Sequence, residues 1–175
     1  RSSAASDVYK RQEYGLQVVC REFAEPFGME ISKEKTPEIY RLLLDALTTC
    51  DEISWNPKNH FMRRRPFMVF HEPSLQPKDD AALSKNGSFP SGHTILGWSA
   101  ALLLSEINPD RAEAIVNRGY LYGESRVIVG AHWQSDVNAG YLYASVAYAK
   151  LHTSDRFLKQ MEKARKEFKK LSGKK

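Results

Sequence analysis

Cysteine is nearly absent from this chain of 175 residues, which holds only Cys20 and Cys50. The pair could close one disulfide in an oxidising compartment, but neither thiol has metal-ligand spacing to the other or to a histidine. We read both as small buried hydrophobes. Long apolar runs are missing as well. The longest stretch without Asp, Glu, Lys or Arg runs from Asn86 to Ser105 and is interrupted by Pro90, Ser91, Gly92 and His93. Its continuous apolar part is too short to cross a bilayer, so no membrane span is expected. Residues Arg1 to Gln12 are polar and small, with no apolar centre and hence no visible signal peptide. Residues 1–12 are expected to be a non-native or disordered N-terminus. Strand-like alternation and internal repeats are absent, and no nucleic-acid-binding module is recognisable, so no nucleic-acid polymer is expected as a partner. No Asp, Glu and His grouping looks like a metal cage, so neither metal nor other cofactor is expected.

What is present reads as a helical protein. Hydrophobic residues make up 42% and charged residues 27% of the chain, the balance of an ordinary globular domain with a real core. Much of the net charge of +5 lies between Lys159 and Lys175, where Glu162 and Glu167 only partly offset the lysines and Arg165. Such a run is more often a solvated helix face and a frayed tail than a binding site. Ile39, Leu42, Leu43, Ala46, Leu47 and Cys50 recur at helical steps, with Thr36 as the expected N-cap and Pro37 in the first turn. A second helix is expected from just after Ser91 to about Ile107. It is apolar around most of its girth, with Gly97, Ala100 and Ala101 allowing close packing. Asp110 is expected to cap a third helix through Ile115, Val116 and Tyr120. A fourth follows His132, and a last one starts near Asp155. The stretch from Arg65 to Gly87 holds Pro66, Pro73 and Pro77 and reads as one long loop. The expected architecture is an all-α helical bundle over residues 13–171 with its site at helix ends and that loop, followed by a basic tail at 172–175.

Three polar clusters stand where packing does not require them. Lys58 and Arg65 are seven apart, two turns if helical, but Pro66 disfavours helix at Arg65 and moves it to a helix end or into the loop. Arg63 and Arg64 are equally basic, so a solvated cationic patch is the competing explanation. Pro90-Ser91-Gly92-His93 leads into the buried helix, whose start offers unpaired N–H groups and a positive dipole end to an anion. A plain N-cap beside a surface histidine explains it equally well. Ser125-Arg126 precedes His132 and Asp136, which are neighbours four apart on a helix. There the carboxylate can fix the imidazole tautomer and leave the other ring nitrogen free to attack; a structural hydrogen bond is the alternative. His60, His71 and His152 match no such arrangement and read as surface or loop residues.

Taken together, Lys-x6-Arg-Pro, Pro-Ser-Gly-His and Ser-Arg-x5-His-x3-Asp resemble the tripartite signature of the type 2 phosphatidic-acid-phosphatase superfamily, with every defining position filled. The surrounding wording is narrower. Met62-Arg63-Arg64-Arg65-Pro66, Gly87-Ser88-Phe89, Gly123-Glu124-Ser125-Arg126 and Gly130-Ala131-His132-Trp133-Gln134-Ser135-Asp136 resemble the bacterial class A non-specific acid phosphatases. The resemblance covers roughly Cys50 to Leu151.

That resemblance implies an acid phosphatase acting on small phosphomonoesters without a metal. His132 would be the nucleophile, forming a phosphohistidine, with Asp136 orienting it and His93 as general acid and then base. Lys58, Arg65 and Arg126, with the Ser91 hydroxyl and the N–H groups of Gly92 and His93, would hold the phosphoryl oxygens. His93 would need to be charged and His132 neutral in the reactive form, giving a bell-shaped, acidic-to-neutral pH profile. Phe61, Phe67, Phe89 and Trp133 could shape a leaving-group pocket or be simple core. The resemblance further implies a periplasmic homo-oligomer with N-terminal helices beyond those present here. The rival readings are a vanadium haloperoxidase, a membrane lipid phosphatase and a non-catalytic phosphate-binding protein. The class A wording and short chain, the missing membrane spans and the complete His/His/Asp set count against them in turn.

Overall fold

In the computed structural model, residues 2–173 are described, with side chains from Gly15 onward; Arg1, Lys174 and Lys175 lie outside the described residues. The chain runs α1 (Ser2–Phe27), α2 (Pro37–Glu52), α3 (Trp55–Phe61), α4 (Pro66–Phe70), α5 (Pro77–Leu83), α6 (Gly92–Ile107), a 3-10 turn (Pro109–Arg111), α7 (Ala112–Ile128), α8 (Gln134–Leu151) and α9 (Asp155–Ser172). It is an all-α bundle, and no strand occurs among the described residues. The expectation for residues 1–12 falls on a stretch whose backbone belongs to α1 and whose side chains are outside the described residues. Among the described residues, no helix is long and apolar enough to cross a membrane.

Helix α6 is the axle. Ile95, Ala100, Ala101, Leu103 and Leu104 are all buried, and α6 packs on α1, α2, α7, α8 and α9. Two glycines set its spacing from α7. A Cβ on Gly97 would lie 2.5 Å from Tyr122 Cδ1, and one on Gly119 2.5 Å from the Ala101 methyl, so either substitution would push the helices apart. The apolar stripe of α2 is buried as its spacing predicts, and α9 adds Phe157, Met161 and Phe168 to the same core. At roughly 1.5–3 kcal/mol for each large side chain fully buried, this core is what holds the site-bearing helix ends in place. Cys20 and Cys50 are buried and unbonded, as small hydrophobes would be. The α9 lysines are exposed, a solvated face rather than a site.

Several local expectations need correction. Arg65 to Gly87 is not one loop, because it contains α4 and α5. Pro66 and Pro77 occupy the first turns of those helices, where a missing N–H costs nothing, so the prolines start helices here instead of breaking them. Thr36 stands at the N-cap of α2 but makes no capping bond. Glu167 of α9 does that work across the bundle, accepting from the N–H groups of Glu38 (3.1 Å) and Ile39 (2.9 Å). Asp110 lies within the 3-10 turn, and α7 begins only at Ala112 with Arg111 at its N-cap.

Candidate active site

The site is built where the N-terminus of α6, the C-terminus of α7 and the N-terminus of α8 meet the segment joining α3 to α4. Pro66 holds Arg65 in extended backbone (φ −80°, ψ 158°), as the sequence predicts. Period-two alternation in this non-helical segment then sends Arg65 inward and Arg64 outward, with Arg63 on the inner side. Arg65 is 1% exposed, so the solvated-patch reading does not hold for it. Its guanidinium is fully committed. Nε donates to the Leu83 carbonyl (2.9 Å) and Nη2 to Asn86 Oδ1 (2.6 Å), while Nη1 donates to the Ala131 carbonyl (3.0 Å). Lys58, on α3, donates to the Gly87 carbonyl at 3.1 Å. A Cβ on Gly87 would stand 2.4 Å from the Lys58 carbonyl oxygen, so only glycine lets the strap between α5 and α6 pass this close.

Ser91 is a true N-cap. Its hydroxyl oxygen accepts from the Thr94 N–H (3.3 Å) and the Thr94 hydroxyl (2.9 Å), which leaves its own O–H to donate. Its backbone N–H reaches the Asp136 carbonyl at 3.0 Å and stitches α6 to α8. Gly92 opens the helix, and a Cβ there would meet Asp51 Oδ1 at 3.4 Å. His93 follows with an exposed ring, stacked on Tyr122 at 6.4 Å between centroids. From the end of α7 comes Arg126, 6% exposed, whose Nη1 donates to Gln76 Oε1 at 3.3 Å and whose buried Nε has no partner.

Gly130 (φ +79°) turns the chain after α7, and the Arg126 carbonyl accepts from the N–H groups of Ala131 and His132. His132 therefore precedes α8 instead of lying on it, and the helical i,i+4 geometry expected for His132 and Asp136 is not the one observed. Asp136 stands in the first turn of α8, where Oδ2 accepts from the Trp133 N–H (3.0 Å). The two side chains still meet: His132 Nδ1 lies 3.5 Å from Asp136 Oδ2, long for a hydrogen bond, with 2% and 0% of the side chains exposed. On the ring's other side Nε2 lies 3.0 Å from Arg65 Nη1. A guanidinium can only donate, so Nε2 is the unprotonated nitrogen and Nδ1 carries the hydrogen toward the carboxylate.

Electrostatics keep the ring neutral. Burial, then the charges of Arg65 and Lys58, push the His132 pKa down to about 4 against the pull of Asp136. His93 is pushed down too, by the surrounding protein and by Arg126, His132, Lys58 and Arg65. Its ring is solvent-exposed, so the cations are the cause that geometry supports most directly. Burial and Arg65 lower Lys58 to about 8, and burial and Arg126 lower Arg65 to about 10. Burial opposes the charge on Asp136, but the facing His132 ring, the hydrogen bond from the Trp133 N–H and the charge of Arg63 keep its pKa below the ordinary carboxylate value. The result is a strongly cationic cluster in which the unprotonated imidazole nitrogen of His132 faces Arg65. Among the described residues, no three His, Cys, Asp or Glu side chains converge as a metal cage.

All eight expected site residues (Lys58, Arg65, Ser91, Gly92, His93, Arg126, His132 and Asp136) fall in this one region. Sequence reasoning missed others. Gln76 and Asn86 set amide oxygens on Arg126 and Arg65, and Asp51 lies beside Gly92 with a carboxyl pKa raised by burial. Arg63 donates to Asp136 itself; the two-residue alternation imposed by Pro66 was the signal that could have found it. Of the unassigned histidines, His60 and His71 are exposed, whereas His152 is half-buried and paired with Glu106.

Comparison with known proteins adds family to geometry. The PAP2 superfamily matches residues 41–158, a span that carries every residue of the site. A non-specific acid phosphatase of Providencia stuartii is 47% identical over 154 residues, covering 87% of this chain and 62% of that protein. The acid phosphatase of Zymomonas mobilis is 43% identical over 89% of this chain and 59% of its own length. The non-specific acid phosphatase of Salmonella typhimurium is 41% identical over 89% of this chain and 62% of its own length. The chain thus spans about three-fifths of the length of these curated relatives.

Proposed function

The chain belongs to the PAP2 superfamily, and on that premise we propose that it is an acid phosphatase hydrolysing small phosphomonoesters through a phosphohistidine, with no metal ion. One observation carries the reading: His132 turns a lone pair toward Arg65 while its other nitrogen faces Asp136. Phosphoryl transfer asks the protein mainly for positioning and for charge on the equatorial oxygens. Lys58, Arg65 and Arg126 supply that charge, and the Ser91 hydroxyl and the first N–H groups of α6 add donors.

His132 Nε2 attacks phosphorus as the ester P–O bond breaks, and His93 gives its proton to the leaving oxygen. Water then attacks the phosphohistidine, His93 takes the water proton, and the P–N bond breaks to release phosphate and restore Nε2. The charge state of His93 follows from the substrate. The protein's cations hold its pKa down, whereas a phosphate dianion among them adds negative charge and raises it, so bound substrate recruits its own acid. The relatives' names as acid phosphatases support the reaction class. A periplasmic location and homo-oligomeric assembly belong to the same proposal and rest on the motif resemblance alone.

The test is hydrolysis of p-nitrophenyl phosphate from acidic to neutral pH with excess chelator, for wild type and His132→Ala. The expected outcome is activity that survives chelator, disappears in the variant and leaves an acid-labile, alkali-stable phosphoryl label on wild type alone. Loss of activity to chelator, or turnover in the variant, would overturn the mechanism.

A further inference from the structure

Asp136 is wholly buried, yet only one of its oxygens serves His132. Oδ2 takes the Trp133 N–H and faces His132 Nδ1; Oδ1 receives Arg63 Nη1 at 2.7 Å. The same nitrogen lies 2.7 Å from Ser135 Oγ, and the guanidinium sits over the Trp133 ring at 5.5 Å. The contacts close into a clasp among three segments. Trp133 Nε1 donates to the Arg64 carbonyl (2.8 Å), and the Arg63 carbonyl accepts from the Ser88 N–H (2.9 Å). Arg63 is 38% exposed and looks from outside like a surface residue, while Asp136 is 0% exposed.

We infer that Arg63 is a positioning residue, clamping the outer oxygen of Asp136 so that the inner one is held toward His132. The inference rests on the phosphatase reading and deepens it: what holds the nucleophile is a relay of Arg63, Asp136 and His132. A buried carboxylate with one oxygen unpartnered can rotate or take up a proton, and either change removes the acceptor that fixes the His132 tautomer. Arg63 does not occupy the pocket with Lys58, Arg65 and Arg126, since its charge is spent outward of Asp136. It therefore acts on the rate of phosphoryl transfer and not on the binding of phosphate. The charged groups acting on Asp136 are His132, Lys58 and Arg65 on the pocket side and Arg63 on the other.

Two conservative variants test this in the full chain with p-nitrophenyl phosphate. Arg63→Gln keeps a donor and much of the stem but removes the charge and the fork, and Arg63→Lys keeps the charge. For Arg63→Gln, kcat should fall about 10- to 100-fold, the range seen when a group supporting a site ligand is lost. KM should stay within about threefold, and the acid limb of the kcat profile should move to higher pH, because without the Arg63 charge the His132–Asp136 pair takes up a proton more readily. Arg63→Lys should return the acid limb to its wild-type position. An unmoved acid limb in Arg63→Gln, a kcat within about twofold of wild type, or a loss expressed mainly in KM overturns the positioning role. His132→Ala run in parallel separates the two readings. If His132→Ala is inactive while Arg63→Gln is indistinguishable from wild type, the clamp alone fails; if His132→Ala keeps wild-type activity, the phosphohistidine reading fails first.

Discussion

Opposite ends of α6 each carry a histidine beside a carboxylate, and the two pairs differ in what else they touch. Near the C-terminal end, His152 Nε2 lies 2.9 Å from Glu106 Oε2, which also receives the Tyr148 hydroxyl, while Oε1 accepts from Arg165 at 2.9 Å. His152 Nδ1 faces the Tyr148 carbonyl at 3.0 Å, so both ring nitrogens point at oxygen acceptors. Near the N-terminal end, His132 is held by the looser contact, 3.5 Å to Asp136, and turns its other nitrogen toward a guanidinium. The tighter pair is a brace between α6, α8 and α9. The looser pair is the one whose second nitrogen keeps a lone pair, met by Arg65, with Lys58 also acting on the ring. A histidine–carboxylate contact by itself is therefore no sign of chemistry; the partner of the second nitrogen decides.

The sharpest way to break this contrast is to neutralise each carboxylate. Asp136→Asn should lower kcat on p-nitrophenyl phosphate by about 1,000- to 10,000-fold, as expected when a nucleophile or base loses the group that fixes its tautomer. Glu106→Gln should leave kcat within about twofold and lower Tm by a few degrees, since it weakens three contacts to one half-buried brace. Equal losses of kcat in the two variants would mean that the C-terminal pair reaches the chemistry, which the geometry denies.

Next in size is His93→Ala, which sharpens the division of labour inside the site. General acid catalysis supplies about 100- to 10,000-fold, and it matters most where the leaving oxygen is basic. The loss should approach that range for an alkyl phosphate and shrink to about tenfold or less for p-nitrophenyl phosphate. Equal losses on both esters would remove His93 from the acid role.

What could be read in advance follows the same divide. The core helices were legible because periodic apolar residues report burial directly: the stripe from Ile39 to Cys50 is buried as its spacing implies. The candidate site residues stood out only in combination, because each of the three clusters taken alone has a plain structural explanation. Geometry between elements was not. Pro66 and Pro77 read as breakers, although the same residue starts a helix when it falls in the first turn. Glu167 read as one more charge in a lysine run, and only the docking of α9 on α2 turns it into a cap. The fourth helix was legible as following His132, but the spacing of four also suggested a helical contact with Asp136, whereas Gly130 bends the chain so that the pair meets from outside α8. Arg63 was hidden among three consecutive arginines until the extended backbone sorted them into buried, exposed and half-buried.

The smallest expected effect is on stability, and it follows from protonation. His132 titrates near 6.5 in the unfolded chain and at about 4 when folded. Between those values the unfolded state binds the extra proton, so stability rises with pH and is lost as pH falls from about 6.5 to about 4. Asp136 works in the same sense at lower pH, because its folded pKa is depressed as well. Its contribution is present above the ordinary carboxylate range and is lost only as pH falls through its lower folded value, below the histidine window. With His132 buried, the wild-type loss between pH 6.5 and 4 should be on the order of 1–3 kcal/mol, or a few degrees of Tm. His132→Gln should make that slope shallower, leaving the part that His93 contributes, whereas His152→Gln at the other end of α6 should leave it in place. Inorganic phosphate should restore Tm most strongly at the acid end, because an anion in the pocket compensates the proton that His132 otherwise refuses. A slope that vanishes in His152→Gln and persists in His132→Gln would assign the acid sensitivity of the fold to the brace and not to the site.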